Sequence, residues 1–252
     1  MISRDTTRTL VGILGNITAL ILFLSPVPTF IKIWKKGSVE QYSAIPYLAS
    51  FINCGLWGLY GLPMVNAHSL LLITINGSGL VMELVYVVLY VTHTSDRNKR
   101  ITLLLITLAQ LLFLLLLGLL LLNLVHSIKL RSTIVGTICV LANILVYASP
   151  LSVMKLVIMT KSVEYMPLFL SLASFANSIS WTCYALIRFD PFIAAPNGLG
   201  ALFGLAQLIL YATFYKSTKQ QKMEKQQMGF EDRSLSGGSE KITTNGLPQS
   251  GT

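Results

Sequence analysis

Seven stretches of the chain are each long and apolar enough to cross a bilayer as a helix, at about residues 9–31, 43–63, 69–92, 102–125, 134–158, 166–187 and 192–215. Spanning about 30 Å of hydrocarbon at roughly 1.5 Å per residue takes about 20 residues. In lipid the backbone has no water to bond with, so a spanning segment must satisfy its own N–H and C=O groups, as a helix does. Of the 252 residues 53% are hydrophobic and 12% charged, too much apolar surface for one soluble core. An all-α integral membrane protein is expected. The first stretch follows "MISRDTTRT", and no small-residue cleavage site ends it, so it reads as a membrane helix and not a secretory signal.

The net charge of +9 does not point to nucleic acid once the basic residues are placed. With seven spans, one side of the membrane holds five Lys and Arg residues (Arg4, Arg8, Lys129, Arg131, Arg188) and the other holds fourteen. Basic residues concentrate in the cytosol, which puts the N-terminus outside and the C-terminus inside. Cys54, Cys139 and Cys183 all fall within spans, in neither a disulfide framework nor a zinc spacing, and read as packing residues. From residue 216 the chain turns to Lys, Gln, Ser, Gly and Thr, too polar to form a core, and a disordered cytosolic tail over 216–252 is expected. Its opening "KSTKQQKMEKQQ" can extend the last helix by a turn or two.

The chain also contains one unit written twice. "GSVEQYSAIPYLASFINCGLWGLYG" and "KSVEYMPLFLSLASFANSISWTCYA" share their polar and aromatic landmarks in order, at an offset of 124 residues. Pro26 then falls on Pro150, Asn53 on Asn177, Trp57 on Trp181 and Tyr60 on Tyr184. A connection three residues shorter in the second copy reduces the offset to 121, which sets Asn76-Gly77 on Asn197-Gly198. The units are 7–92 and 134–215, joined by a leucine-rich span at 101–125. Because that odd span returns the chain to its starting side, the two triple-helix halves must be parallel. The linker's near absence of small residues suits a lipid-facing position.

With "SPVPTF", "KKGSVEQYSAIPY", "ITINGSG", "YASPLSVMKLVIMTKSVEYMPLFLSL" and "PNGLG", the chain over residues 7–216 closely resembles the plant SWEET sugar transporters. The resemblance implies a bidirectional facilitative sugar carrier working by alternating access. "LFLSPVPTFIKIWKKGSVEQYS" and "ALIRFDPF" are most similar to the hexose branch at the plasma membrane. By the same resemblance Asn53, Trp57, Asn76, Asn177, Trp181 and Asn197 line a central cavity that Leu22 and Val146 narrow on the cytosolic side. Pro26, Pro46, Pro150 and Pro167 correspond to a proline tetrad at the cytosolic gate, and Tyr60 with Asp190 to an extracellular gate.

The residues support this reading on their own chemistry. An amide left unpaired in hydrocarbon costs about 1–3 kcal/mol, so Asn76 and Asn197 must either bond neighbouring helices or meet a polar ligand. A carboxamide both donates and accepts, which suits a neutral polyol, and indoles pack on the C–H faces of sugar rings. Asn53 and Asn177 stand one turn before Trp57 and Trp181 on the same helix faces. The resemblance adds that related carriers of disaccharides have smaller residues where Asn53 and Asn177 stand, so the two amides, which leave less room, imply a monosaccharide. Internal prolines kink helices, so one bend each is expected in spans one, two, five and six. Asp190 before a proline also fits a turn former.

Glu83 is the one ionisable residue deep within a span, while His68, His93 and His126 lie at span ends. Proton-coupled carriers need chains of such groups, so a uniporter is expected, with Glu83 hydrogen-bonded to a neighbouring helix. No paired carboxylates, metal-spaced histidines or nucleophile–base set occurs in the spans, which argues against an enzyme and against any cofactor. A proton-coupled seven-span carrier of small solutes or amino acids and a seven-span receptor are the alternatives. The "GALFG" run at 200–204 permits close helix approach within the bundle or in an oligomer of like or related chains. The expected partners are therefore sugar, the lipid bilayer and other transporter copies.

Overall fold

The computed structural model describes residues 3–67 and 69–243, apart from the side chains of 145, 148, 149 and those beyond 228. His68 lies outside the described residues. Eight helices form among them: α1 (Arg4–Leu24), α2 (Val27–Lys36), α3 (Ile45–Gly61), α4 (Leu70–His93), α5 (Arg97–Leu124), α6 (Ile128–Thr160), α7 (Leu168–Ile187) and α8 (Pro191–Thr243). Arg4–Lys36, Leu70–His93, Arg97–Leu124 and Pro191–Met228 are long and apolar enough to cross a membrane.

Local chemistry sets several boundaries. Ser3 caps α1 by accepting the Thr6 N–H at 3.1 Å, and Asp96 caps α5 by accepting those of Asn98 and Lys99. Such caps satisfy N–H groups that the first helical turn leaves unpaired. Gly37 ends α2 in the left-handed region at φ 66°, and its repeat counterpart Lys161 ends α6 at φ 52°. The same turn thus closes both copies, in one of them without the glycine that makes it easy.

The packing follows the repeat. Exchanging α1 with α6, α3 with α7 and α4 with α8 turns each major contact into another: α3–α4 becomes α7–α8, α1–α4 becomes α6–α8, and α1–α7 becomes α6–α3. The last pair joins the two halves. Linker α5 packs chiefly on α3 and α4 and buries Leu103, Thr107 and Leu121, while Leu104, Leu105, Leu108 and Leu115 are each more than half exposed. A leucine face of that extent is stable in lipid. This is an all-α membrane fold of two three-helix bundles and a linker.

Three expectations are corrected. Pro150 lies inside α6 and Pro26 breaks the first span between α1 and α2, but Pro46 sits in the first turn of α3 and Pro167 caps α7. At a helix start the missing N–H has no intrahelical partner to lose, so these two prolines begin helices without kinking them. Of the tail expected to be disordered over 216–252, the described part instead continues α8 to Thr243, and 244–252 lie outside the described residues. Its Lys, Gln, Glu and Met residues are good helix formers, and Thr218 Oγ1 and Gln221 Nε2 tie it to the Val163 N–H at 2.8 Å and the Thr160 carbonyl at 3.2 Å. Cys183 is exposed, unlike buried Cys54 and Cys139.

Candidate functional site

Helix periodicity puts Asn53, Trp57 and Tyr60 on one face of α3 and their repeat mates Asn177, Trp181 and Tyr184 on one face of α7. The asparagines and tryptophans of these faces, with Asn76 from α4 and Asn197 from α8, line a chamber of about 240 Å³. All six polar and aromatic residues singled out from the sequence for this cavity meet there. The volume falls below the roughly 300–1,000 Å³ of pockets for drug-sized ligands and suits one small ring.

The two repeat-related amides are held alike. Asn76 Nδ2 donates to the Leu72 carbonyl at 2.9 Å, and Asn197 Nδ2 to the Ile193 carbonyl at 2.8 Å. Each bond reaches back one turn on its own helix and uses one of the amide's two N–H groups. The tryptophans are matched as well: Trp57 meets Tyr60 edge-on at 5.6 Å and Trp181 meets Tyr184 at 5.1 Å. Asn177 Oδ1 accepts from Thr18 Oγ1 at 3.2 Å, whereas Asn53 Oδ1 is buried with no hydrogen-bond partner among the described residues.

Gly15 makes room for the Trp181 indole, since a Cβ there would lie 2.9 Å from Nε1. Gly15→Ala should displace the indole into the chamber. The expected result is a several-fold loss of transport with little loss of thermal stability, checked by uptake and unfolding on one preparation.

Toward the face where α1 ends and α3 begins, the chamber meets a wider vestibule of about 700 Å³ through shared Tyr147 and Ser174. Leu22 and Val146 line this vestibule, as do Pro46, Pro150 and Pro167, while Pro26 does not. That face bears the greater share of Lys and Arg.

The opposite face is closed. The Tyr60 hydroxyl lies 2.9 Å from both carboxylate oxygens of Asp190, and Asn66 Nδ2 donates to Oδ2 at 2.8 Å. Asp190 Oδ1 also accepts the Phe192 and Ile193 N–H groups at 3.1 and 3.3 Å. The turn-forming and gating readings of Asp190 therefore coexist: it caps α8 and latches α3. Two more contacts join the halves here. The Arg8 guanidinium, 8% exposed, sits 3.9 Å from the Tyr184 ring centroid, and Arg188 pairs with Asp5 at 2.8 Å. A cation held on a desolvated ring is worth up to about 2 kcal/mol.

Glu83 is 4% exposed in α4, and its Oε2 has no hydrogen-bond partner among the described residues, so the interhelical bond expected of that oxygen is not made. Both ion pairs among the described residues, Lys36–Glu40 and Arg188–Asp5, are exposed.

Several residues of the site have no forecast in the sequence. Asn143, Tyr147, Ser174 and Ser178 line the chamber from the second half, and Phe23 from the first. Asn143 faces Ala19 by the offset of 124, so a search for matched polar pairs passes over it. Its position three residues before Val146, one turn away on α6, is the available signal. Asn66 falls in the longer connection of the first repeat, where the second has no counterpart.

A helical membrane protein with a polar chamber between two like halves, latched on one face and widening on the other, has the build of a small-solute carrier. Residues 9–98 and 133–219 match the family described as "Sugar efflux transporter for intercellular exchange", and the chain belongs to that family. It is 60% identical over 220 residues to the bidirectional sugar transporter SWEET4 of Oryza sativa subsp. indica, covering 87% of this chain and 85% of that protein. It is 52% identical over 219 residues to SWEET7 of Arabidopsis thaliana, with coverage of 87% and 85%. A eukaryotic SWEET transporter solved at 3.7 Å superposes with a TM-score of 0.82 at 39% identity, covering 84% of this chain and 99% of that one.

Proposed function

We propose that the protein carries monosaccharides such as glucose across the plasma membrane in either direction, as a uniporter working by alternating access. The observation that carries this reading is the chamber itself. Four asparagines and two tryptophans, paired by the repeat, surround a space sized for one sugar ring. Amides supply donors and acceptors for hydroxyls, and indoles supply faces for C–H groups. Asn53, Asn177, Trp57, Trp181, Asn76 and Asn197 are the binding residues, with Asn143 added from the second half. Leu22 and Val146 narrow the inner side.

In this reading the N-terminus is outside and the latched face is extracellular, closed by Tyr60 and Asp190. The arrangement is then inward-facing. Pro26, Pro46, Pro150 and Pro167 form the cytosolic gate, with bending concentrated at Pro26 and Pro150, where helix is broken or lacks a bond. The proposed working form is an oligomer of like or related chains. Relatives at 60% and 52% identity carry the name bidirectional sugar transporter, which supports the substrate class. Uniport is supported by the buried charge: Glu83 has no basic partner among the described residues and lines neither the chamber nor the vestibule.

The test is uptake of labelled glucose and sucrose by vesicles containing the purified protein, with internal pH recorded. Glucose flux should exceed sucrose flux by at least an order of magnitude, and pH should stay flat. Equal sucrose flux would overturn the monosaccharide assignment, and proton movement with sugar would overturn uniport.

A further inference from the structure

The second repeat holds a pocket at a place where the first is packed shut. Beneath the α2–α3 connection Tyr90 is 1% exposed and its hydroxyl donates to the Tyr42 carbonyl at 2.6 Å. Thr94, also 1% exposed, donates to the Tyr90 carbonyl at 2.7 Å. By the offset of 121 these positions become Tyr211 and Tyr215. There, beneath the α6–α7 connection, lies a cavity of about 460 Å³, whose polar lining comprises Tyr211, Tyr215, Lys219, Lys222, Thr218 and Glu164.

The chemistry of this lining selects an anion. Tyr211 and Tyr215 stack at 5.7 Å. Among the described residues neither phenol hydroxyl and neither ammonium has a hydrogen-bond or ion-pair partner. Lys219 and Lys222 lie one turn apart on α8 and outnumber the one carboxylate, Glu164. Ammonium and phenol groups together offer donors to phosphate oxygens. The pocket opens where α8 leaves its apolar segment on the basic face, the level at which lipid headgroups gather.

We propose that this pocket binds the phosphate of an anionic lipid headgroup, and that its occupancy sets the width of the inner vestibule. The second part follows from a shared wall. Met166 and Pro167 line both this cavity and the vestibule. The same connection is already tied to α8 through Thr218 and Gln221. A phosphate bridging Lys219 and Lys222 to the Val163–Pro167 segment tightens that tie and steadies the start of α7. The coupling rests on the vestibule being the sugar path, whereas headgroup binding does not.

The test uses the full chain in vesicles of phosphatidylcholine, with and without a phosphatidylinositol monophosphate. Thermal unfolding reads binding and sugar counterflow reads coupling. The lipid should raise the unfolding temperature and change the counterflow rate. Removing each lysine should weaken the apparent affinity about fivefold, as expected for about 1 kcal/mol per basic residue at a membrane surface. Lys219→Gln with Lys222→Gln should therefore weaken the apparent affinity about 25-fold, while Lys32→Gln with Lys35→Gln, on α2 of the same face, should leave it intact. Tyr211→Phe with Tyr215→Phe should reduce it without unfolding the protein. Equal losses in both lysine doubles would overturn the site in favour of general surface attraction, and no loss in either would overturn it outright. Soluble inositol phosphate separates the sources: a full response to it alone would overturn the lipid as ligand. A stability response without a counterflow response would overturn the coupling alone.

Discussion

Asp190→Ala is expected to unlatch the outer face and shift the carrier toward its outward-open state by about a hundredfold. The carboxylate accepts from the Tyr60 hydroxyl and the Asn66 amide, each bond joining the halves. Hydrogen bonds to a charged group contribute about 1.5–3 kcal/mol each, so losing two removes roughly 3 kcal/mol or more from the closed state. Every 1.4 kcal/mol is about tenfold. The two backbone N–H groups that Asp190 caps lie in the first turn of the helix it precedes, α8, within the same half; losing that cap costs about 1 kcal/mol, mostly in both states alike. The mutation should therefore change the conformational balance more than the fold. Asp190→Asn keeps one carbonyl acceptor and should fall between. Ser174→Cys in a Cys183→Ser background reports on the outcome, because Ser174 borders chamber and vestibule while Cys54 and Cys139 are buried. Labelling by an impermeant thiol reagent added outside should accelerate, and net sugar flux should fall as inward-facing carriers become scarce. Unchanged labelling and unchanged flux together would remove Asp190 from the gate.

The sequence was most legible where the repeat doubles the evidence. Asn76 with Asn197 and Trp57 with Trp181 stand out because a polar or aromatic residue recurs at one offset inside apolar helices, and all four line one chamber. The same filter hides what is not doubled. Asn143 faces Ala19, Asn66 lies in an unmatched connection, and the Tyr211–Lys222 pocket exists because the two copies differ there. Prolines show a second limit. Composition says that Pro46 and Pro167 are near apolar segments, but whether a proline bends a helix or begins one depends on boundaries that periodicity places only to within a turn. The tail shows a third: a polar segment without a core of its own is still helical when it continues a packed helix, because the costly nucleation step is already done.

Asn76→Ala and Asn197→Ala should each lower transport by roughly ten- to a hundredfold, and by similar factors. The amides are held at 2.9 and 2.8 Å by carbonyls one turn back on their own helices. That tether fixes each Oδ1 and one N–H as the groups left to offer a sugar, an acceptor and a donor at mirrored places. Losing two hydrogen bonds of about 0.5–1.5 kcal/mol each amounts to about 1–3 kcal/mol. Aspartate should be worse than alanine, although it is closer in size. A carboxylate cannot donate to the Leu72 or Ile193 carbonyl, so Asn76→Asp and Asn197→Asp would set acceptor against acceptor and place a charge in a chamber of about 240 Å³. Gln has the right groups on a longer stem, cannot keep the same tether, and should rescue poorly. The measurement is counterflow of labelled glucose into vesicles, with thermal unfolding as the check on folding. A structural role predicts a different pattern: Ala would then destabilise the protein in proportion to its lost flux. Folded Ala variants that carry glucose at the parent rate would show that the paired amides hold helices and not sugar.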